Sequence, residues 1–173
     1  MIPRYTLPEM GRIWEEREKL QRMLDVGIAV CEELATRGEI PADALDAIKS
    51  KSAFDPKRIR EIEQVTKHDV IAFLTTVAEN VGPFSRFIHL GLTSSDVLDT
   101  GLALQLVSAA NLIINRLSVL QDTLRRRALE HRRTFIAGRT HGMHAEPTTL
   151  GLKIAGWYTE FGRAEERMRK ARE

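Results

Sequence analysis

Cysteine is almost absent from the sequence, since Cys31 is the only one among 173 residues. A single cysteine excludes a disulfide within the chain and indicates a reducing compartment. Cys31 lies among the aliphatic residues between Val26 and Leu34. We therefore predict that it is a small residue of a hydrophobic core.

The sequence also lacks a large excess of charge of one sign. It has 26 Lys and Arg and 24 Asp and Glu residues, for a net charge of +2. The nearest approach to a basic patch is Arg125–Arg127 with Arg132 and Arg133, and Asp122 and Glu130 interrupt it. At helical spacing such a cluster is typical of a solvated face. The aromatic residues that single-strand binders place between basic ones are missing, so we expect no nucleic-acid partner.

Long apolar runs are lacking too. The first residues hold no apolar run that could serve as a signal peptide, and no uninterrupted apolar stretch reaches the roughly 18 residues of a membrane span. A hydrophobic fraction of 43% and a charged fraction of 29% are typical of a globular protein and exclude disorder. We expect a cytoplasmic protein with no membrane partner.

Glycine and proline divide the chain into helical segments. One segment begins at Pro8 and ends before Gly38, and a short helix follows Pro41. Asp55 and Pro56 form an N-cap followed by proline at the first helical position. Apolar residues then recur as far as Gly82, and residues 84–93 form a connector. No segment has the pattern of a β-strand, so the sequence predicts an all-α fold.

The longest predicted helix begins near Ser94. Its apolar residues recur at spacings of three and four, at Leu98, Leu102, Leu106, Ala109, Ile113, Leu117, Leu120 and Leu124. This stripe is far longer than a mean helix of about 11–12 residues and predicts a bundle of long helices or an oligomer core. Apolar residues off the stripe, such as Ile114, predict burial on more than one side. We therefore predict an N-terminal helical domain at residues 1–93 and the start of a long-helix bundle at 94–173.

Residues 134–146 contain Gly138 and Gly142 and have no helical period, so they predict a loop. Pro147 is predicted to open another helix, and no helix-stop signal follows it before Glu173. We expect the chain to be part of a longer polypeptide.

The start of the long helix carries hydroxyl groups at Thr93, Ser94 and Ser95, followed by Asp96. A Thr or Ser cap with an acidic residue three positions on is a variant of the capping box. The unpaired N–H groups and positive dipole of a helix start also suit a carboxylate or phosphate. The pattern leaves both interpretations open, a structural cap or an anion site.

A second polar segment holds His141, His144 and Glu146. A metal site would need the two histidines on one helix face, and Gly142 and Pro147 favour a loop instead. A histidine titrates near neutrality and suits the role of a general acid, with Thr140 beside it. The remaining alternative is a polar turn without function.

Three shorter groups carry further candidates. Lys67, His68 and Asp69 lie between two helical segments, where a solvated joint is the simplest interpretation. His89 lies in a connector and could be packed there. Arg4 and Tyr5 near the terminus form either a simple tail or a phosphate contact, because an arginine fork suits phosphate.

Together these segments resemble the fumarase/aspartase superfamily, through Thr93–Thr100 and through Gly138–His141. The extension Gly142–Thr149, with Arg4–Tyr5, Lys67–Asp69 and Ile88–Ser94, resembles the branch that acts on succinylated purine nucleotides. The resemblance covers essentially the whole chain. It implies bundles of long helices, homotetramers, and elimination of fumarate without a metal or other cofactor.

Roles follow from the resemblance position by position. His141 would be the general acid that protonates the departing nitrogen, and His68 would bind and polarise the substrate. Thr93 and Ser94 would hold a succinyl carboxylate, with Thr140 in the same pocket. The resemblance assigns the nucleotide portion to Arg4, Tyr5, Lys67, Asp69 and His89.

The superfamily's catalytic base is a serine on a mobile glycine- and serine-rich loop, and no segment here matches that loop. We therefore expect the chain alone to be inactive. Two alternatives remain open, a superfamily lyase with a different succinyl substrate and a non-catalytic helical scaffold.

Overall fold

Helices account for most of residues 2–173, the part of the chain that the computed structural model describes, and this confirms the all-α prediction. Backbone contacts divide the chain inside the longest helix, with one unit ending at Leu106 and the other beginning at Val107. The predicted domain boundary at residue 93 stays a prediction. The described helices are α1 Pro8–Ile13, α2 Glu16–Thr36, α3 Ala42–Lys51, α4 Pro56–Thr66, α5 Asp69–Val81, α6 Ser94–Glu130 and α7 Leu150–Arg172.

Two of the predicted helix boundaries are confirmed. A capping side chain sets one of them, and a glycine in the left-handed conformation sets the other. Asp55 accepts a hydrogen bond from the Lys57 N–H at 2.9 Å, which caps α4 ahead of Pro56. After α2, Gly38 adopts a φ of 74°, and the N–H groups of Gly38 and Glu39 bond to carbonyls of the last helical turn. This is a Schellman motif, in which glycine takes the left-handed position without steric cost.

The segment predicted as one helix from Pro8 is broken into α1 and α2. Trp14 ends α1, and Glu15 is extended with ψ near 148°. The carbonyl of Ile13 accepts a 2.6 Å hydrogen bond from the buried amide of Gln105 instead of one from the next helical turn. A long-range bond therefore replaces local ones, and the sequence pattern does not reveal it.

The first unit contains a continuous hydrophobic core. Its largest fully buried side chains are Phe73, Ile48, Val70, Val77 and Cys31. Cys31 is buried as predicted, and its Sγ contacts the carbonyl oxygen of Phe87 at 3.4 Å. Burial raises the pKa of the Cys31 thiol to about 11, because a thiolate would lose its hydration. The thiol is therefore protonated and unreactive at neutral pH.

Helix α6 is continuous over 37 residues, as the apolar stripe predicts. Val97, Gly101 and Gln105 are buried, whereas Leu102 and Leu106 on the stripe are exposed. Off the stripe, Ile114 is buried and Val119 is 62% exposed, so the expectation of burial on more than one side is met at Ile114 and not at Val119. One 18-residue window of α6 has a mean hydropathy of 1.6 and is long enough to cross a membrane, although long core helices of bundle proteins pass the same test.

A small antiparallel sheet occupies the segment that was predicted to be a loop. Strand β1 (Phe135–Thr140) pairs with β2 (Met143–Thr149), and α7 begins at Leu150 rather than at Pro147. The expectation of no strand is thus wrong here. The strands lack apolar alternation and are mostly exposed, so backbone pairing determines them. Thr149 caps α7 by accepting the Leu152 N–H at 3.1 Å.

Candidate active site

The start of α6 has the geometry of a partial capping box. The N–H of Thr93 donates to Oδ2 of Asp96 at 2.8 Å, and the Asp96 N–H bonds back to the Thr93 carbonyl at 3.2 Å. Thr93 is exposed and Ser94 is half-buried, so both hydroxyl groups lie beside the helix start. The predicted cap is confirmed in this form. The predicted anion site at the same helix start stays a prediction.

The joint between α4 and α5 is a structured turn. Lys67 ends α4 with φ 54° and ψ 30°, a left-handed conformation that is uncommon outside glycine. His68 is the N-cap of α5, and its Nδ1 accepts the Ile71 N–H at 3.4 Å. A neutral imidazole that accepts at Nδ1 carries its proton on Nε2. The imidazole therefore has an Nε2–H donor available to a ligand, and its side chain is 47% exposed.

Asp69 lies beside this histidine in the first turn of α5. Its Oδ1 accepts the Val70 N–H at 2.8 Å and lies 3.6 Å from Nδ1 of His68. Asp69 thus places a carboxylate oxygen beside the imidazole that caps α5.

A groove of about 440 Å³ joins the start of α5 to the first turns of α6 within the first unit. Asp69 lines it together with Leu98 and Asp99, and Trp14 lies on its α1 side. The start of α5, which follows His68, and the first turns of α6, which follow Ser94, thus meet at one groove. The groove also holds Glu15 and Glu16 against one lysine, so its charge favours cations.

Asp99 is a lining residue that the sequence reasoning did not select. The available signal was its position within the Thr93–Thr100 segment, three residues after Asp96. That spacing places both carboxylates near the same side of the helix start.

His89 follows the short helical turn Gly82–Phe87. Its Nδ1 is buried and has no hydrogen-bond partner, although the residue as a whole is only half-buried. Leaving a buried ring nitrogen without a hydrogen-bond partner costs free energy. The predicted substrate-binding role of His89 stays a prediction.

Arg4 and Tyr5 form a short helical turn at the start of the described chain. The Arg4 guanidinium lies 4.7 Å from the centre of the Tyr5 ring, in cation–π geometry. The Tyr5 side chain is 74% exposed, and Arg4 is exposed as well. Both side chains can therefore reach a ligand from solvent.

His141 lies at the tip of the β1–β2 hairpin, in the second unit. Thr140 pairs with Met143, which leaves His141 and Gly142 as a two-residue turn. Both turn residues have positive φ, 51° and 71°, as in a type I′ turn. His141 is exposed, so its imidazole is accessible for proton transfer.

Histidine pairs do not create a metal site in the described part of the chain. Residues 2–173 contain no group of three or more His, Cys, Asp or Glu side chains arranged to hold a metal ion. His144 pairs across the hairpin with Arg139, while His141 occupies the turn. Because His144 lies in a strand and His141 in a turn, the two imidazoles do not lie on one helix face, as a His-x-x-His metal pair requires.

A protein-family model described as "Lyase" matches residues 4–173. The chain belongs to this lyase family. Among curated relatives, the chain is 58% identical over 168 residues to an adenylosuccinate lyase of Synechocystis sp., a match that covers 97% of this chain and 39% of that protein. It is 49% identical to the adenylosuccinate lyase of Aquifex aeolicus, over 100% of this chain and 40% of that one.

Solved structures of lyase-family relatives have the same fold. A fumarate lyase from Mesorhizobium sp. BNC1 superposes with a TM-score of 0.86 at 28% identity, over 93% of this chain and 39% of that chain. A 3-carboxy-cis,cis-muconate lactonizing enzyme from Pseudomonas putida gives 0.85 at 35% identity, over 96% of this chain and 40% of the other. The chain thus spans about 40% of the length of the relatives it matches.

Proposed function

We propose that the chain is the amino-terminal part of an adenylosuccinate lyase. The enzyme would eliminate fumarate from adenylosuccinate to give AMP, and from the succinylated aminoimidazole carboxamide ribotide, in purine nucleotide biosynthesis. The observation that carries the proposal is the 58% identity to an adenylosuccinate lyase over 97% of this chain. The geometry of two polar helix starts and an exposed histidine turn supports it.

In this reaction a base removes the proton next to one succinyl carboxylate, and the C–N bond then breaks to release fumarate. Negative charge grows on that carboxylate before the bond breaks. Thr93 and Ser94 at the start of α6 are suited to bind it, because N–H and hydroxyl donors placed in advance stabilise developing charge. The Nε2–H of His68 provides a further donor.

His141 would be the general acid, since the departing purine or imidazole nitrogen needs a proton. Its exposure at the tip of a short hairpin supports this role, with Thr140 beside it. Nucleotide binding would fall to the remaining candidates: Arg4, Tyr5, Lys67, Asp69 and His89. Arg4 and Lys67 carry the positive charge that a phosphate requires.

The catalytic base would be a serine outside this chain, and no metal or organic cofactor takes part in the proposed reaction. The exposed stripe of α6 is consistent with packing in a homotetramer. We propose that the complete enzyme is a cytoplasmic homotetramer that binds no membrane or nucleic acid. The 173-residue chain alone should release no fumarate, and measurable turnover by the purified chain would contradict the assignment of the base.

The test is fumarate release from adenylosuccinate by the full-length polypeptide that contains this chain. His141→Ala should lower kcat about 10²–10⁴-fold, the range expected on removing a general acid. His144→Ala is the matched control, because it removes an exposed histidine three residues away, and it should leave kcat near that of the unaltered enzyme. Unchanged turnover in His141→Ala would remove His141 from the mechanism.

A second candidate is a lyase of the same superfamily with a different succinyl substrate. The likeness to the Mesorhizobium enzyme, which is described only as a fumarate lyase, favours it. Arg4→Ala separates the two, because loss of a phosphate contact should raise KM for adenylosuccinate while leaving kcat nearly unchanged. The second candidate would be favoured if the full-length enzyme released no fumarate from adenylosuccinate and if Arg4→Ala left its turnover of another succinyl substrate unchanged.

A further inference from the structure

The two strands of the hairpin pair in two successive registers. Near the base of the hairpin, Ala137 lies opposite Pro147, and near the tip, Thr140 lies opposite Met143. If the first register continued unbroken, Thr140 would lie opposite His144, and three residues would remain in the loop. The observed shift, a bulge in β2, shortens the loop to two residues.

Gly138 is the residue of β1 at which the register changes, opposite Ala145 and Glu146. A Cβ atom at Gly138 would lie 2.5 Å from the carbonyl oxygen of Glu146. The obstacle is a backbone atom of the partner strand, so no side-chain rotation could relieve the contact. Glycine is therefore the only residue type that is compatible with the observed geometry of the bulge.

The loop length determines the backbone of His141. A two-residue loop of type I′ requires positive φ at both central residues, as observed at His141 and Gly142. A three-residue loop usually consists of a type I turn followed by one left-handed residue. In that loop Met143 would be left-handed and His141 right-handed, so the imidazole would point elsewhere.

We propose that Gly138 is a positioning residue for His141. It allows the bulge that sets the hairpin register, and the register fixes the backbone conformation from which the imidazole projects. Gly138 acts through the backbone and contacts neither the substrate nor the ring. This inference rests on the proposed function, because it assigns a task to the geometry of His141.

The first test compares Gly138→Ala with Gly156→Ala. Gly156 is the matched control because it lies exposed on α7, and an added Cβ there meets no atom within 4 Å. In the 173-residue chain, cross-strand proton contacts measured by NMR should pair Thr140 with Met143 in the unaltered chain and in the control. In Gly138→Ala these contacts should be lost or replaced by contacts between Thr140 and His144.

The second test measures kcat and KM in the full-length polypeptide. Displacing a catalytic group by about 1 Å costs roughly 10²-fold in rate, so Gly138→Ala should lower kcat by about that factor with KM changed less than about threefold. An altered register with unchanged kcat would overturn the proposal. So would a Gly138→Ala variant that kept the pairing of Thr140 with Met143.

Deleting Ala145 in the Gly138→Ala background gives a rescue test. The deletion removes the extra residue of β2, so the ladder becomes regular and still leaves a two-residue turn. Pairing of Thr140 with Met143 and most of the lost kcat should both return. Restored pairing without restored turnover would show that register is not what His141 needs, and would overturn the proposal.

His141→Ala keeps this inference separate from the proposed function. If His141→Ala and Gly138→Ala both retain full turnover, the acid assignment itself is wrong. If His141→Ala is inactive and Gly138→Ala is fully active, the acid assignment stands and the positioning role fails.

Discussion

Two valines show how strongly position determines the importance of a single side chain. Val77 in α5 is 0% exposed, whereas Val65 in α4 is 84% exposed. The residue type is the same, and both lie in helices that pack against each other in the first unit. Only Val77 contributes apolar surface to the core.

Val77→Ala should lower the free energy of unfolding by about 2–3 kcal/mol, since it removes buried methyl groups and leaves a cavity. Val65→Ala, the control, should change it by less than about 0.5 kcal/mol. Urea unfolding followed by circular dichroism measures both. Equal losses in the two variants would contradict the burial described for α4 and α5.

Two helix-capping residues, one of them beside the candidate site, could be predicted because their chemistry is local. Asp55 and Asp96 bond to N–H groups within three residues, so side-chain type and spacing suffice to find them. Gly138 could not be assigned in the same way. Its requirement comes from the Glu146 carbonyl on the opposite strand, and strand register cannot be found from an exposed, non-alternating segment.

At the scale of elements, α6 and α7 approach closely where the second helix begins. A Cβ atom at Gly151 would lie 2.5 Å from the carbonyl oxygen of Ala128 and 2.7 Å from the backbone of Arg132. The N–H of Gly151 also bonds to the carbonyl of His131 at 3.0 Å. The end of α6 and the start of α7 are thus joined through the backbone.

Gly151→Ala should destabilise the second unit by more than about 1 kcal/mol, because the backbones must separate to admit the methyl group. Gly156→Ala should instead stabilise it by up to about 1 kcal/mol, since alanine is the better helix former at an open site. Thermal unfolding of the two variants beside the unaltered chain decides this. Stabilisation by both substitutions would disprove the close approach.

An ion pair links α4 to α5. The Arg58 guanidinium donates to the Glu79 carboxylate at 2.8 Å and also reaches Glu61. The hydrogen bonds and charge of Arg58 lower the pKa of Glu79 below its ordinary value. A carboxylate with a lowered pKa stabilises the folded state above its unfolded pKa and loses that effect as the pH falls through its folded pKa.

The stability advantage of the unaltered chain over Glu79→Gln should therefore be present at neutral pH and vanish on acidification below the ordinary glutamate pKa of about 4.3. The effect should be small and weakened by salt, because the pair is exposed. Urea unfolding across the acidic range measures it. In an Arg58→Gln background the same substitution should show no such pH dependence, and its persistence there would rule out this pairing.

Helices were predicted correctly where apolar residues recur over many turns. The prediction failed where backbone geometry determines the structure. The 37 residues of α6 carry enough repeats to define a helix. The break at Trp14 depends on Gln105, which is distant in sequence, and the β1–β2 hairpin depends on a histidine–glycine turn outside the usual asparagine–glycine pattern. The break is caused by a tertiary contact and the hairpin by the conformation of its turn, and the apolar periodicity of the sequence reveals neither.

At the scale of the whole molecule, the two units differ in how much core they hold. The first unit has a continuous cluster of buried side chains from α2 to the start of α6. Among the described residues, the buried apolar side chains of the second are Ala109, Ala110, Ile114 and Ile154. Leu152 and Phe135 remain 67% and 78% exposed. The second unit therefore has less apolar burial to offset its conformational entropy.

Each unit contains one of the two tryptophans, Trp14 in the first and Trp157 in the second. In single-tryptophan variants made with Trp14→Phe or Trp157→Phe, fluorescence reports each unit separately. We expect the Trp157 signal to change at a lower urea concentration than the Trp14 signal. Coincident transitions, or an earlier Trp14 transition, would contradict the lower stability expected for the second unit.

The enclosed thiol of Cys31 has a practical consequence for spectroscopy. Because the native sulfur does not compete for maleimide reagents at neutral pH, a second cysteine introduced at an exposed position becomes a unique attachment point. Met143→Cys would place a dye or spin label directly on the hairpin, next to the turn. The label would then report on the hairpin of the 173-residue chain without first removing the natural cysteine.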